Sequence, residues 1–334
     1  MTKISSPVIK KDLQKISAIA KIIKQSKTFF IAGHVKPDGD CLGSALAIRS
    51  VLKRMGKKAD VYCSDKVPAA LEFMPGAKNI KNKAGKSKVF DCAIILESID
   101  FSRMGDIIAP HQAKKIINID HHSMFTNFGD VNYVVPSSSS TAELVLNIFE
   151  LMKIKLTAEE AENLYIGILT DTGRFQQLNT TANSHIAAAK LMNAGVMPNK
   201  IAQKIYESNS LSSVKLLGCA LSEIKMLFGG QMAYIFLTRE MFKKSGAAED
   251  ETEGIINFTI MIKGVKVGCL FKEAGPEETK ISFRSVRDFD VLEVVRKCGG
   301  GGHKNAAGCT MKKDMEASLE IIKEAFKEKL DAKP

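Results

Sequence analysis

The stretch IINIDHHSMF, residues 116–125, sets Asp120, His121 and His122 directly after the apolar run of Ile116, Ile117 and Ile119. A short apolar run closed by polar residues reads as a buried strand of a parallel sheet. Three groups able to bind a metal or move a proton then sit where that strand ends. A polar turn after a strand would look the same, so the meaning of the triplet rests on the rest of the chain.

Working outward, the same kind of run recurs in TFFIAG (28–33), ADVYC (59–63) and FDCAIILES (90–98), each bounded by polar or Gly/Pro-containing segments. Helical patterns follow or separate them: CLGSALAIRSVLKRMGKK, then STAELVLNIFELMKI and TAEEAENLYIGIL, where Thr157 and Glu160 form a capping-box pattern. The expectation is an α/β fold whose N-terminal part, residues 1–192, is a mostly parallel sheet with flanking helices. Residues 193–228 read as a helical linker, with the Gly-, Pro- and Ser-bearing segment 193–213 as the connection. Beyond it MAYIFL, VKVGCLFK and ETKISFRS predict a smaller α+β domain over 229–334.

Composition agrees with two globular domains. The chain has 334 residues, 45% hydrophobic and 25% charged, enough apolar material for real cores. No apolar run approaches the length of a membrane span, and lysines scattered through the N-terminal apolar positions argue against a secretory signal. The seven cysteines show no CxxC pair, which predicts unpaired thiols in a reducing cytoplasm. The net charge of +11 suits a polyanionic substrate.

Three more clusters join the opening triplet. AGHVKPDGDCLGS carries His34, Asp38 and Asp40 between the first strand and a helix, with Gly39 expected to permit a tight turn that lets both carboxylates converge. Glu97 ends the third strand run, and Asp171 follows the apolar helix in YIGILTDTGRF. Three of the four clusters follow strand ends, and the carboxyl edge of an open parallel sheet is where ligands collect. Independent loops have no reason to coincide there three times.

The candidate donors His34, Asp38, Asp40, Glu97, His121 and Asp171 are carboxylates and imidazoles without cysteine, a set suited to Mn²⁺ or Mg²⁺. Six donors exceed the need of one open ion and fit a two-metal phosphoryl-transfer site. His122 is then free to contact a phosphate or protonate a leaving oxygen. In the C-terminal part, Arg284 in KISFRSV and the run Gly299, Gly300, Gly301, Gly302 and His303 predict a phosphate-binding loop. His111 and His185 read as surface residues.

GHVKPDGDCLGS, IDHH, PSSSSTAELV, LYIGILTDTGRF, SFRSV and GGGGHKNAAG together resemble the DHH-family phosphoesterases with a DHH-associated C-terminal domain, in the nano-RNase branch of oligoribonuclease and pAp phosphatase. The resemblance implies two Mn²⁺ ions, with Mg²⁺ or Co²⁺ as substitutes, and hydrolysis of short RNA oligonucleotides and of 3′-phosphoadenosine 5′-phosphate. It implies that His34 and Asp38 hold one ion and that Asp40, His121 and Asp171 hold the other. Asp120 would orient the metal-bound histidine, His122 would lie near the scissile phosphate, and Arg284, the glycine loop and His303 would grip the far end of the substrate. Glu97 stands where the family usually has an aspartate that bridges both ions, which puts the bridge in question. A linear or cyclic dinucleotide phosphodiesterase would use the same donors, and a catalytically impaired nucleotide-binding protein is the rival if Glu97 fails. A homodimer is left open.

Overall fold

The computed structural model describes residues 10–330 apart from 86, 124, 125, 208, 253 and 287, and excludes the side chains of 10, 11, 102 and 303. The chain divides into two compact units, Met1–Ser208 and Asn209–Pro334.

The first unit runs α1 (Lys10–Gln25), β1 (Thr28–Ala32), α2 (Gly39–Arg54), β2 (Lys58–Tyr62), β3 (Cys92–Leu96), β4 (Ile116–Asp120), β5 (Val131–Val134), α3 (Thr141–Leu151), α4 (Ala158–Asp171), α5 (Ala182–Asn193) and α6 (Pro198–Tyr206). Its five strands lie in the order β2-β1-β3-β4-β5, and every neighbouring pair is parallel. Both faces are covered, which is why the strands read as continuous apolar runs. One face sets Phe29, Ile31, Ile94, Ile117 and Ile119 against Ile16 and Ile19 of α1 and the apolar sides of α2, α3 and α4. The other sets Phe30, Tyr62, Phe90 and Ile95 against Met104, Ile107 and Ile108, from a segment with a 3₁₀ turn at Phe101–Met104. Phe30 and Tyr62 stack there with ring centroids 4.5 Å apart. The short strand β5, absent from the sequence expectation, extends the sheet beyond β4.

Two glycines set how closely α4 lies on α2. A Cβ on Gly43 would stand 2.2 Å from the Asn163 carbonyl oxygen, and one on Gly167 would stand 2.7 Å from Asp40 Oδ1. Gly39, expected to permit a tight turn, does not take a left-handed backbone; its missing side chain instead makes room for Thr170, 2.5 Å from an added Cβ. This close packing carries the end of α4 to the start of α2.

The second unit comprises α7 (Leu211–Ser222), β6 (Lys225–Leu227), β7 (Met232–Leu237), α8 (Arg239–Ser245), α9 (Asn257–Ile260), β8 (Val267–Gly275), β9 (Glu278–Ser285), α10 (Leu292–Lys297), β10 (Gly301–His303), β11 (Ala306–Met311) and α11 (Met315–Leu330). The sheet order is β10-β11-β9-β8-β7-β6, mixed, with only β7 and β8 parallel among its neighbours. Val267, Phe271, Ile281 and Phe283 pack against Ile322 and Phe326 of α11, while Ile235 and Leu270 pack against Leu216 and Ala220 of α7. Within residues 193–228, Ile201 of α6 joins the core of the first unit and α7 joins that of the second.

Candidate metal centre

The strand order places β1 between β2 and β3, so the chain leaves β1 in one direction and returns on its other side. At such a switch point the loops beyond the carboxyl ends part and leave a crevice. His34 and Asp38 follow β1, Glu97 follows β3, and Asp120 to His122 close β4; Asp40 lies in the first turn of α2 and Asp171 ends α4. All six candidate donors meet in this crevice, in two groups.

In the first group His34 Nε2 lies 3.8 Å from Asp38 Oδ2 and 3.5 Å from Glu97 Oε2. His34 Nδ1 donates to the Val35 carbonyl at 2.7 Å, which leaves the Nε2 lone pair facing the carboxylates. Asp38 caps α2, its Oδ1 accepting from the backbone N–H of Cys41 at 2.9 Å and of Asp40 at 3.1 Å. Its side chain is 55% exposed, so this group opens to solvent.

In the second group His121 Nε2 lies 3.6 Å from Asp171 Oδ2, 3.7 Å from Glu97 Oε1 and 4.0 Å from Asp40 Oδ2. Asp40 is fully buried and accepts the N–H groups that open α3, from Thr141 at 2.6 Å and Ala142 at 2.8 Å. Glu97, 3% exposed and with a left-handed φ of 52°, is shared: Oε2 faces His34 and Oε1 faces His121.

These separations are too long for hydrogen bonds. Bonds of about 2.1 Å to one ion would put neighbouring donor atoms roughly 3–3.5 Å apart, so cations fit the gaps. The orphaned atoms agree: Glu97 Oε2 and His121 Nε2 are buried without a hydrogen-bond partner. Charge agrees too. Burial, then the negative charges of Asp40 and Asp38, push the Glu97 carboxyl well above its usual pKa, and the same causes push Asp171 up to about 8. Crowded carboxylates that resist ionisation alone are the electrostatic mark of a place for cations. Burial opposes the charge on Asp38 as well, but the neighbouring His34 imidazole and the Cys41 N–H outweigh it and hold its pKa low.

One expected role changes. Asp120 does not orient His121: its Oδ1 accepts from His122, at 2.7 Å from ring Nδ1 and 3.0 Å from the backbone N–H. A carboxylate at the end of a strand reaches the residue two positions on more readily than the next one, whose side chain points the opposite way. His122 is half-exposed, its ring centroid 4.7 Å from that of His121. Burial raises the pKa of Asp120, but the His122 bonds more than offset it.

Two neighbours escaped the sequence reading. Asn179 Nδ2 contacts Asp171 Oδ2 at 2.9 Å, the Asp171 carbonyl at 3.0 Å and the Ser139 carbonyl at 2.9 Å, holding Asp171 beside the start of α3. Cys41, buried in the first turn of α2, has its sulfur within 4.8 Å of donor atoms of His34 and Glu97. Burial, then the charge of Asp38, keeps it a neutral thiol when no cation is bound. The sequence offered only the adjacency of Cys41 to Asp40 as a signal, and none for Asn179.

In the second unit Arg284 lies on β9 opposite Ala306 of β11, its guanidinium bonded to the Phe283 carbonyl at 3.1 Å. Among the described residues no carboxylate pairs with it, and burial lowers its pKa. The glycine run is less of a free loop than expected. Gly301 and Gly302 lie in the edge strand β10, and a Cβ on Gly300 would meet the Gly308 carbonyl oxygen at 2.4 Å. Gly302 has φ 140°, and within the run Gly299 and Gly301 have open space around them. The side chain of His303 lies outside the described set; its backbone belongs to β10. His111 and His185 are exposed, His185 stacked on Phe175.

Comparison with known proteins places this centre in a class. Residues 28–168 match the DHH family N-terminal domain and residues 229–330 match the DHHA1 domain. The chain belongs to the DHH family of phosphoesterases. It is 32% identical over 321 residues to the bifunctional oligoribonuclease and PAP phosphatase NrnA of Thermus thermophilus, covering 95% of each chain. The protein of the same name from Bacillus subtilis is 26% identical, over 88% of this chain and 92% of that one. Among solved structures, an exopolyphosphatase-related protein from Bacteroides fragilis superposes with a TM-score of 0.89 at 29% identity, covering 99% of this chain and 100% of that one.

Proposed function

We propose that this chain is a two-cation phosphoesterase that hydrolyses short oligoribonucleotides to mononucleotides and converts 3′-phosphoadenosine 5′-phosphate to AMP, with Mn²⁺ as the preferred ion and Mg²⁺ or Co²⁺ as substitutes. The observation that carries it is the Glu97 carboxylate, with one oxygen 3.5 Å from His34 Nε2 and the other 3.7 Å from His121 Nε2. The longer arm of a glutamate spans both donor groups, which argues against a centre impaired by the exchange of aspartate for glutamate. The names of the relatives support the substrates.

Divalent ions held there supply Lewis acidity toward the attacking water and the phosphoryl oxygens. The chain's own residues supply the rest. Asp40 and Asp38, fixed by helix N-termini, keep their donor oxygens aimed into the crevice. His122, held through Nδ1 by Asp120, offers Nε2 to a phosphate oxygen or to the leaving oxygen. Arg284, with donors to spare, takes a phosphate of the substrate, and the open backbone at Gly301 admits it. Among the described residues no helix is long and apolar enough to cross a membrane, and all seven cysteines are unpaired, consistent with the cytoplasm.

The test is a panel of RNA from dinucleotide to ten-mer, together with 3′-phosphoadenosine 5′-phosphate and cyclic dinucleotides, assayed with Mn²⁺ and after chelation. Turnover should be greatest on the shortest linear RNA, present on 3′-phosphoadenosine 5′-phosphate, and absent after chelation. Full activity after exhaustive chelation, or cleavage of cyclic dinucleotides alone, overturns the proposal.

A further inference from the structure

The two donor groups differ in an element the sequence did not reveal. The sulfur of Cys41 and one donor atom each of His34 and Glu97 all lie within 4.8 Å of one another, whereas the other group is Asp40, His121 and Asp171. We propose that Cys41 is a donor to the ion of the His34 group, so that one position offers nitrogen, oxygen and sulfur while the other offers nitrogen and oxygen alone. This rests on the reading of the centre as a cation site.

Independent features point the same way. Glu97 Oε2 is buried, lacks a hydrogen-bond partner and faces His34 Nε2 at 3.5 Å, so an acceptor awaits a cation beside the sulfur. The residue at 33 is glycine, and a Cβ there would stand 2.1 Å from the Cys41 sulfur. The thiol is therefore seated against bare backbone at the end of β1, held at one place. As the sulfur–metal bond forms, the S–H proton passes to solvent.

The consequence is unequal selectivity. A thiolate shifts a mixed site toward Zn²⁺, Co²⁺ and Fe²⁺, while the carboxylate-rich position keeps its preference for harder ions. Hence the two ions of one chain need not be the same element.

The full chain, stripped of metal, is titrated with Co²⁺ and its near-ultraviolet and visible absorption recorded, alongside Cys41→Ser and, as a control for a neighbouring thiol, Cys63→Ser. A thiolate-to-cobalt charge-transfer band should appear in the unmodified chain and in Cys63→Ser and vanish in Cys41→Ser. Preference for Zn²⁺ over Mn²⁺ should fall by about tenfold or more in Cys41→Ser. Zinc X-ray absorption on the unmodified chain should show a sulfur neighbour at about 2.3 Å, and this needs no variant to fold. Two Co²⁺ bound without the band, or a band that survives Cys41→Ser, overturns the role of Cys41 and leaves the two-cation reading standing. No Co²⁺ bound at all overturns both.

Discussion

The ring Nδ1 of His122 lies 2.7 Å from Asp120 Oδ1, and this one bond holds a half-exposed imidazole whose ring centroid stands 4.7 Å from that of His121. A histidine so held can serve an oxygen of the substrate without joining the donors. His122→Ala should lower kcat on a dinucleotide by about 10²–10⁴-fold, the usual worth of a positioned acid. Bound metal, counted by elemental analysis, should stay unchanged. Loss of ions together with activity would make His122 a donor instead.

Glu97 touches both donor groups, so its removal should uncouple them. Glu97→Ala is expected to bind one ion rather than two and to lose hydrolysis, because one cation cannot offset charge on both the attacking and leaving oxygens. Glu97→Asp withdraws the carboxylate by about 1.5 Å, the length of one carbon–carbon bond. Since both oxygens already stand 3.5–3.7 Å from their histidines, that variant should bind the second ion more weakly and turn over more slowly. Two ions and normal turnover in Glu97→Ala would exclude the bridge.

Stability of the metal-free chain should depend on pH with a definite sign. Burial, then the charges of Asp40 and Asp38, raise the carboxyls of Glu97 and Asp171, the latter to about 8. A group whose pKa is higher folded than unfolded contributes stability at low pH and loses it as pH rises through the folded value. Tm of the chelated protein should therefore fall between about pH 4 and pH 8 from these two groups. Mn²⁺ at a hundredfold its dissociation constant should restore about 2.7 kcal/mol and flatten the slope. A Tm that rises over that window without metal would contradict the crowding of charge.

Arg284 has no carboxylate partner among the described residues, so its donors are available to an anion. Arg284→Ala should raise KM for dinucleotides by the loss of about 1.5–3 kcal/mol, with metal content unaltered. Unchanged kcat and KM on every nucleotide would remove it from the site.

Asn179 reaches Asp171 and Ser139 through one amide nitrogen. Asn179→Ala should weaken binding of the second ion by about 10–100-fold, as loss of a residue that orients a metal donor does. Calorimetric titration with Mn²⁺ measures it, and circular dichroism checks that the fold is kept.

The amino-acid sequence by itself determined the strands and the donors. Strands buried on both faces must be apolar throughout, so TFFIA, DVY, CAIIL and IINID declared themselves, and the polar residues that end them marked one edge. His34, Glu97 and His121 were legible because they follow apolar strands, Asp171 because it ends an apolar helix, and Asp38 and Asp40 because they stand between the first strand and the helix after it. The strand β5 was not, because VNYV alternates too briefly to stand out from a loop. Only the tertiary structure decided what those donors meet. Asn179 and Cys41 join them through chain segments that pass close in space, and Asp120 chooses His122 through the direction of a side chain at a strand end. Gly43 and Gly167 count because two helices approach there, and Gly300 because β11 does. Local pattern fixes which residues are buried and which are polar; the pairing of side chains far apart in sequence is set by how the elements pack.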